Sequence, residues 1–291
     1  MANYQGDGSN NTFLTTTGND TVNGLGGDDW VVMYGGVDTV NGGTGHDTMS
    51  FMAANRGVTI NLGLTTAQST GFGTVTVTGV EGLIGSNFTD VLIGNSANNV
   101  IAGWGGNDTL SGLAGNDWLR GGLGNDYFAG GTGVDTASFQ STETNGVRVD
   151  LRLAGAQNTN EGLDTFTSIE NLFGSDKNDV LMGNSGANII TGNGGNDAIN
   201  GGLGSDTLWG GAGRDIFVWN VLYAGTDVIR DFVRGQDRID INSWVANTGW
   251  TIAQLEFVHV NGNTEIHLYG DANYRLVVSG NHAFTAVDFV F

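Results

Sequence analysis

A nine-residue repeat constrains this chain more than any other feature. In frames of nine from Gly6, the sequence reads GDGSNNTFL, TTTGNDTVN, GLGGDDWVV, MYGGVDTVN and GGTGHDTMS. Two further blocks run over 85–138 and 174–218, and the three blocks 6–50, 85–138 and 174–218 hold sixteen nonapeptides. Gly fills the first position in fourteen and the fourth in twelve, and the eighth is apolar in all sixteen, from Phe13 to Phe217. The sixth position is Asp in thirteen: Asp20, Asp29, Asp38, Asp47, Asp90, Asp108, Asp117, Asp126, Asp135, Asp179, Asp197, Asp206 and Asp215. The other three carry Asn11, Asn99 and Asn188.

One nonapeptide reads as a six-residue turn followed by a three-residue strand. Glycine supplies turn angles that other residues resist, and in the strand only the eighth side chain faces inward. Two nonapeptides make one flattened coil of 18 residues, and stacked coils at ~4.8 Å spacing form parallel sheets. The chain contains no Pro, as interior strands that donate every ladder hydrogen bond require. The expected fold is therefore all-β, a parallel β-roll. A longer period overlies the short one: residues 57–126 match 146–215 at an offset of 89, with 35 of 70 positions identical. The spacers 51–84 and 139–173 thus belong to the repeating architecture, and alternation at Val58, Ile60, Val75 and Val77 reads as added strands.

Without a ligand, the sixth-position column stacks like charges at about 5 Å, with turn carbonyls adding negative potential. A hard divalent cation between successive turns removes that conflict. Ca²⁺ accepts six to eight oxygens in forgiving geometry, whereas Mg²⁺ demands a strict octahedron. Cys is absent and only four His are present, so a zinc site is not expected. One ion per same-edge pair of turns gives about ten ions, enough to offset the formal charge of −20. Sites containing Asn11, Asn99 or Asn188 keep an oxygen but lose a charge, so they are expected to be weaker or empty. So acidic a surface excludes nucleic acid as a partner, and no apolar run reaches the ~20 residues of a membrane span.

These motifs resemble the RTX calcium-binding repeat, whose pattern GGxGxDxUx is matched by GGTGHDTMS and GGLGNDYFA. The resemblance implies a right-handed calcium roll that folds on Ca²⁺ after type I secretion from a Gram-negative bacterium. It also implies that the sixth-position carboxylates bind Ca²⁺ together with backbone carbonyls of turn glycines, here Gly45, Gly106, Gly115, Gly124, Gly195 and Gly204. Residues 1–218 are read as the roll and 219–291 as a C-terminal cap and secretion-signal region. The cap resembles those of RTX proteases and lipases, and the tail SGNHAFTAVDFVF resembles the close of the modules in mannuronan C5-epimerases.

Within 219–291, Arg230, Arg234 and Arg238 read as ion-pair partners of Asp227, Asp231, Asp237 and Asp240. Those acids either hold a terminal ion or solvate a turn. The stretch LEFVHVNGNTEIHLYG reads as a hairpin turning at Asn261 and Gly262. No HExxH and no Gly-x-Ser-x-Gly occurs, and repeats, spacers and cap leave no room for a catalytic domain, so no enzyme is expected. Outward aromatics suggest a glycan surface at Trp118, Arg120 and Trp209. The leading expectation is a complete small protein, extracellular or at the cell surface, with a structural or interaction role and polysaccharide or surface proteins as partners. The alternative is a polysaccharide-binding accessory module of an extracellular enzyme such as a mannuronan C5-epimerase.

Overall fold

A computed structural model describes residues 1–140, 145–219, 225–241, 252–268 and 271–290. The ends of two stretches read above, 269–270 and Phe291, lie outside the described residues. The chain forms two units, Met1–Ala137 with Glu161–Ile169, and Ser138–Asn160 with Glu170–Phe291.

Each nonapeptide becomes a turn and a short strand, and within a block each strand pairs in parallel with the one eighteen residues later. Thr12 faces Trp30, Trp30 faces Thr48, and Val100 faces Trp118. Eighth-position side chains point inward as the alternation requires: Val31, Met49, Ile101, Leu110 and Leu119 are fully buried. In the first unit, one half of each coil contributes Thr12–Leu14, Trp30–Val32, Thr48–Ser50, Gly82–Ile84, Val100–Gly105, Trp118–Leu123 and Thr136–Ser138 in that sheet order. The other half builds two shorter sheets in succession. The first runs Asn3–Gln5, Thr21–Asn23, Val37–Asn41, Thr74–Thr78 and Gln68–Ser69; the second contains Thr59–Asn61, Val91–Ile93, Thr109–Ala114, Tyr127–Thr132 and Leu163–Thr167.

The spacers are strands, as their alternation predicts. Val58, Ile60, Val75 and Val77 are all buried. Spacer 51–84 ends one short sheet with Thr74–Thr78 and Gln68–Ser69 and begins the next at Thr59–Asn61. A new sheet begins with an unpaired edge, and a glutamine amide plugs it. Asn61 N–H donates to Gln68 Oε1 (2.9 Å) while Gln68 Nε2 donates to the Asn61 carbonyl (2.9 Å). The copied spacer repeats the device, with Gln157 taking the N–H and carbonyl of Asp150 at 2.7 and 2.9 Å. An amide side chain here supplies one donor and one acceptor, as a strand would.

In the second unit, Arg148–Asp150, Val180–Met182, Ala198–Asn200, Ile216–Val218, Arg238–Asp240 and Phe289–Val290 form one sheet. Its partner carries Asn171–Phe173, Ile189–Thr191, Thr207–Trp209 and Gly225–Ile229, then Asp271–Ser279, still parallel. There the direction changes: Asn263–Leu268 and Leu255–Val260 add antiparallel strands, turning at Asn261 (φ 50°) and Gly262 (φ 82°). The tail is built into this end, with Phe289 buried and ringed by Phe257 and Phe284 at centroid distances of 6.1 and 5.7 Å.

One expectation fails here. Arg234 reaches Asp288, the buried acid of the tail, at 3.4 Å, instead of Asp231 or Asp237. Those two carboxylates serve the backbone: Asp231 accepts N–H groups of Gly210 and Gly211, and Asp237 accepts those of Asp215 and Val233. Backbone amides at the close of the roll keep these oxygens, and an ion pair with an exposed, flexible guanidinium would add little.

Candidate metal-binding turns

The sixth-position side chains lie in the turns, and they are buried. All thirteen Asp, with Asn99 and Asn188, are at most 2 % exposed; Asn11, in the first turn, is half-buried. Along most of the stack, one carboxylate oxygen is tied to the coil below. Asp108 Oδ1 accepts the Asp90 N–H at 2.9 Å, Asp117 that of Asn99 at 2.7 Å, and Asp126 that of Asp108 at 2.8 Å. The same ladder runs from Asp179 to Asp197 to Asp215. The fifth-position side chains form a parallel ladder, in which Asn107 Oδ1 accepts the Asn125 N–H and Asn98 Oδ1 that of Asn116.

The second carboxylate oxygen divides the turns into two kinds. In six turns it, or the Asn oxygen, accepts the N–H of the second residue of the same turn. The pairs are Asp7 with Asn11, Thr16 with Asp20, Ser86 with Asp90, Asn95 with Asn99, Ser175 with Asp179, and Asn184 with Asn188. In each, the side chain of that second residue also accepts an N–H two residues on, as from Phe88 to Ser86 and from Ala97 to Asn95. These Asx- and Ser/Thr-turns satisfy themselves. They occupy the first two places of every block.

Most of the remaining turns are open. In 24–29, 42–47, 103–108, 112–117, 121–126, 192–197, 201–206 and 210–215, the second residue has positive φ, from Leu25 at 73° and Trp104 at 82° to Gly43 at 116°. The second N–H therefore no longer meets the carboxylate. Oδ2 of Asp29, Asp47, Asp108, Asp117, Asp126, Asp197, Asp206 and Asp215 is left buried with no hydrogen-bond partner. Turn 130–135 has the same backbone, with Gly131 at 114°. Turn 33–38 belongs to neither kind, since Met33 replaces the first glycine and Gly35 and Gly36 are consecutively positive.

The glycine columns follow from this oxygen. A Cβ on the first-position Gly103, Gly112, Gly121 or Gly201 would collide with the Oδ2 of its own turn's Asp. The fourth-position Gly45, Gly106, Gly115, Gly124, Gly195 and Gly204 all have φ between 110° and 136°. Each stacks on a carbonyl: a Cβ on Gly124 would strike Gly106 O, and one on Gly133 would strike Gly115 O. The turns that carry the sixth-position carboxylates thus also stack fourth-position carbonyls in a column.

Burying such carboxylates with one oxygen unbonded raises their proton affinity. Burial pushes Asp126 and Asp197 up to about 8, Asp108 up to about 7, and Asp117, Asp206 and Asp215 up to about 6. Asp20 behaves oppositely, held below the ordinary range by the Thr16 hydroxyl and N–H. In Asp90 and Asp179 burial still outweighs the bonds from Ser86 and Ser175, and both are raised. Among the described residues, no three His, Cys, Asp or Glu side chains converge as a metal cage. A cation here would bind one carboxylate per coil plus turn carbonyls, and a hard oxygen-seeking ion fits that donor set.

The family profile described as RTX calcium-binding nonapeptide repeat (4 copies) matches residues 5–32, 34–50, 84–117, 105–137, 173–208 and 191–218. This chain belongs to the RTX calcium-binding repeat family. A subunit of the mannuronan C5-epimerase of Azotobacter vinelandii, solved in solution, is 30% identical over 42% of this RTX chain and 77% of its own length, with a TM-score of 0.35. The extracellular lipase of Serratia marcescens is 18% identical over 70% of this chain and 40% of that one, with a TM-score of 0.25. No curated protein matches. RTX repeats bind calcium, and the partnerless oxygens of the open turns fit such an ion.

The structure keeps the sixth-position residues on the two edges of the RTX roll but separates Asn11, Asp20, Asp90, Asn99, Asp179 and Asn188, which are self-bonded, from the rest. The signal was present in the sequence: the closed turns carry Asp, Thr, Ser or Asn in second place, and the open ones Gly, Leu or Trp, with Asn193 as the exception. Acids beyond the repeats were less visible. Glu81 Oε2 accepts the Asp47 N–H at 3.1 Å, and Asp227 accepts that of Asp206 at 3.1 Å, each standing where the next sixth-position Asp would. Trp118 is half-buried and Trp209 is 40% exposed, and they lie in different units. Arg120 stands with its guanidinium carbon 5.8 Å from the Trp104 ring centre. In the hairpin, Glu265 is shared by His267 (3.1 Å) and Arg275 (3.2 Å), while His259 meets Thr264 instead.

Proposed function

We propose that this is a secreted calcium-responsive roll with a structural or interaction role at the cell surface or in the extracellular matrix, and no catalysis of its own. One observation carries the reading: open turns hold buried carboxylate oxygens that lack any partner. Such oxygens are costly unless a cation or proton joins them. The sixth-position Asp of the open turns are the primary ligands, and carbonyls of Gly45, Gly106, Gly115, Gly124, Gly195 and Gly204 complete the shells. Residues 1–218 carry about ten such ions on the reading of one per stacked pair, and 219–291 closes the roll and bears the export signal.

Where free calcium is scarce, the charge of −20 keeps the chain expanded and exportable. Outside, the ion binds only stacked turns, so its binding energy becomes folding energy. Far-ultraviolet circular dichroism tests this: the β signal is expected to collapse in excess chelator and return with millimolar Ca²⁺. A spectrum indifferent to chelation overturns the proposal.

A second reading, as a polysaccharide-binding module, is favoured by the patch of Trp104, Arg120 and Trp118 on the first unit. An aromatic face beside a guanidinium suits an acidic sugar. Calcium-loaded protein would then bind alginate saturably, and Trp104→Ala would abolish the binding.

A further inference from the structure

The metal-bearing edge of the first unit does not stop where its repeats stop. Residues 161–164, Glu-Gly-Leu-Asp, lie in the second spacer, between the matched segments that end at 137 and resume at 173. Their backbone nevertheless occupies the third to sixth positions of one more turn. Gly124 N–H donates to the Glu161 carbonyl at 3.1 Å, as Gly106 N–H does to the Leu123 carbonyl at 2.9 Å one coil below. A Cβ on Gly162 would strike Gly124 O, just as one on Gly124 would strike Gly106 O. Leu163 N–H donates to Asn125 Oδ1 at 2.8 Å, continuing the fifth-position ladder. Asp126 N–H donates to Asp164 Oδ1 at 2.8 Å, continuing the sixth. The strand that follows keeps register, with Tyr127 facing Thr165 and Phe128 facing Phe166. Residues 159–167 are therefore a concealed nonapeptide, TNEGLDTFT, that retains Gly in fourth place, Asp in sixth and an apolar residue in eighth.

The turn beneath it is open. Asp126 is 2% exposed, and its Oδ2 is buried without a partner. Asp164 is 1% exposed and adds a second buried carboxylate one coil above. We propose that turn 161–164 completes a further calcium site with turn 121–126, held by the carboxylates of Asp126 and Asp164 and by carbonyls of the two turns. Glu161 stands on the same turn and adds negative potential. This rests on the calcium reading above but concerns residues outside the repeats.

The chain contains its own control. At the offset of 89, Glu161 and Asp164 correspond to Phe72 and Val75. Val75 takes the same place in the first spacer, opposite Asp38, and is 1% exposed. The roll thus accepts either Asp or Val at this position, and the further ion is specific to the second copy.

The test is ion counting on the full chain, with native mass spectrometry for number and calorimetry for affinity. Wild type, Asp164→Val and Asp164→Asn are compared in Ca²⁺. Asp164→Val is expected to bind one ion fewer, with the other ions retained. Asp164→Asn keeps the acceptor for Asp126 N–H but loses the charge, and is expected to weaken that one ion about tenfold or more. An unchanged count and unchanged affinities in both variants would overturn this site while leaving the calcium reading intact. A wild type that binds no calcium at all would overturn both. If Asp164→Val fails to fold, Asp164→Asn alone decides through the affinity of that one ion.

Discussion

At the residue scale, the carboxylate oxygen of the sixth position dictates its neighbours. It presses on the Cα of the first residue, so Gly112 and Gly121 are required for room, not for backbone angle. Gly121→Ala places a methyl group on Asp126 Oδ2, and is expected to cost about 1–3 kcal/mol of stability. Thermal unfolding in Ca²⁺ measures it, and an unchanged midpoint would contradict the geometry. The same oxygens set the response to pH when calcium is removed. Burial raises Asp126 and Asp197 to about 8 and Asp108 to about 7, so these groups bind protons more tightly folded than unfolded. Their contribution is fully present below the ordinary carboxylate value of about 4 and is lost as pH rises towards 8. In chelator, β structure is expected to be recovered by acidification and lost again between about pH 4 and pH 8, followed by circular dichroism. Greater order at pH 8 than at pH 5 without calcium would refute the sign.

At the element scale, each block opens with two self-bonded turns and continues with open ones, and this gives the variants opposite dependences. Ser86→Ala removes the hydroxyl that bonds Asp90 and receives Phe88 N–H. The expected loss is about 1 kcal/mol, alike with or without calcium. Asp108→Asn is expected to matter chiefly in calcium, because it removes a charge from an open turn. Denaturant titrations with and without Ca²⁺ separate the two classes, and equal calcium dependence would erase the distinction. The edges make their own prediction. Gln68→Ala and Gln157→Ala unplug the strands Thr59–Asn61 and Arg148–Asp150, and are expected to increase self-association in light scattering.

How far these elements were legible varies with the reach of the interaction. The strands, the inward eighth residue and the added strands at Val58, Ile60, Val75 and Val77 follow from local alternation, and the structure has them. Closed turns were legible too, through Ser86, Asn95, Ser175 and Asn184 in second place, because that bond is made within one turn. The third to sixth positions of 159–167 were hidden because Thr159 stands where fourteen of the sixteen repeats begin with Gly. Only stacking on 121–126, across 38 residues of chain, identifies Asp164. Arg234 was misassigned for a related reason: Asp288 is 54 residues away, and no local spacing points to it.

At the scale of the whole molecule, charge and desolvation are separable. The net charge of −20 acts through space and is screened by salt, since the Debye length falls from about 10 Å at 0.1 M to about 3 Å at 1 M. The buried Oδ2 atoms act by contact, and screening gives them no partner. Calcium-free protein is therefore expected to contract in 1 M monovalent salt, seen by small-angle scattering, without gaining ordered β structure. If salt alone restored the full β spectrum, repulsion would be the sole barrier and the partnerless oxygens would be irrelevant.

The duplicated stretch has a consequence for how such a chain changes over generations. Its two copies begin at the same phase of the coil, each with a glutamine-plugged strand. One period of 89 residues contributes four strands to one sheet, Gly82–Ile84, Val100–Gly105, Trp118–Leu123 and Thr136–Ser138, about 19 Å at ~4.8 Å per strand. Tandem gain or loss of one period would add or remove strands of that sheet four at a time. Length is then a trait that recombination can adjust, independently of the drift at Val75 and Asp164 that decides what each copy holds.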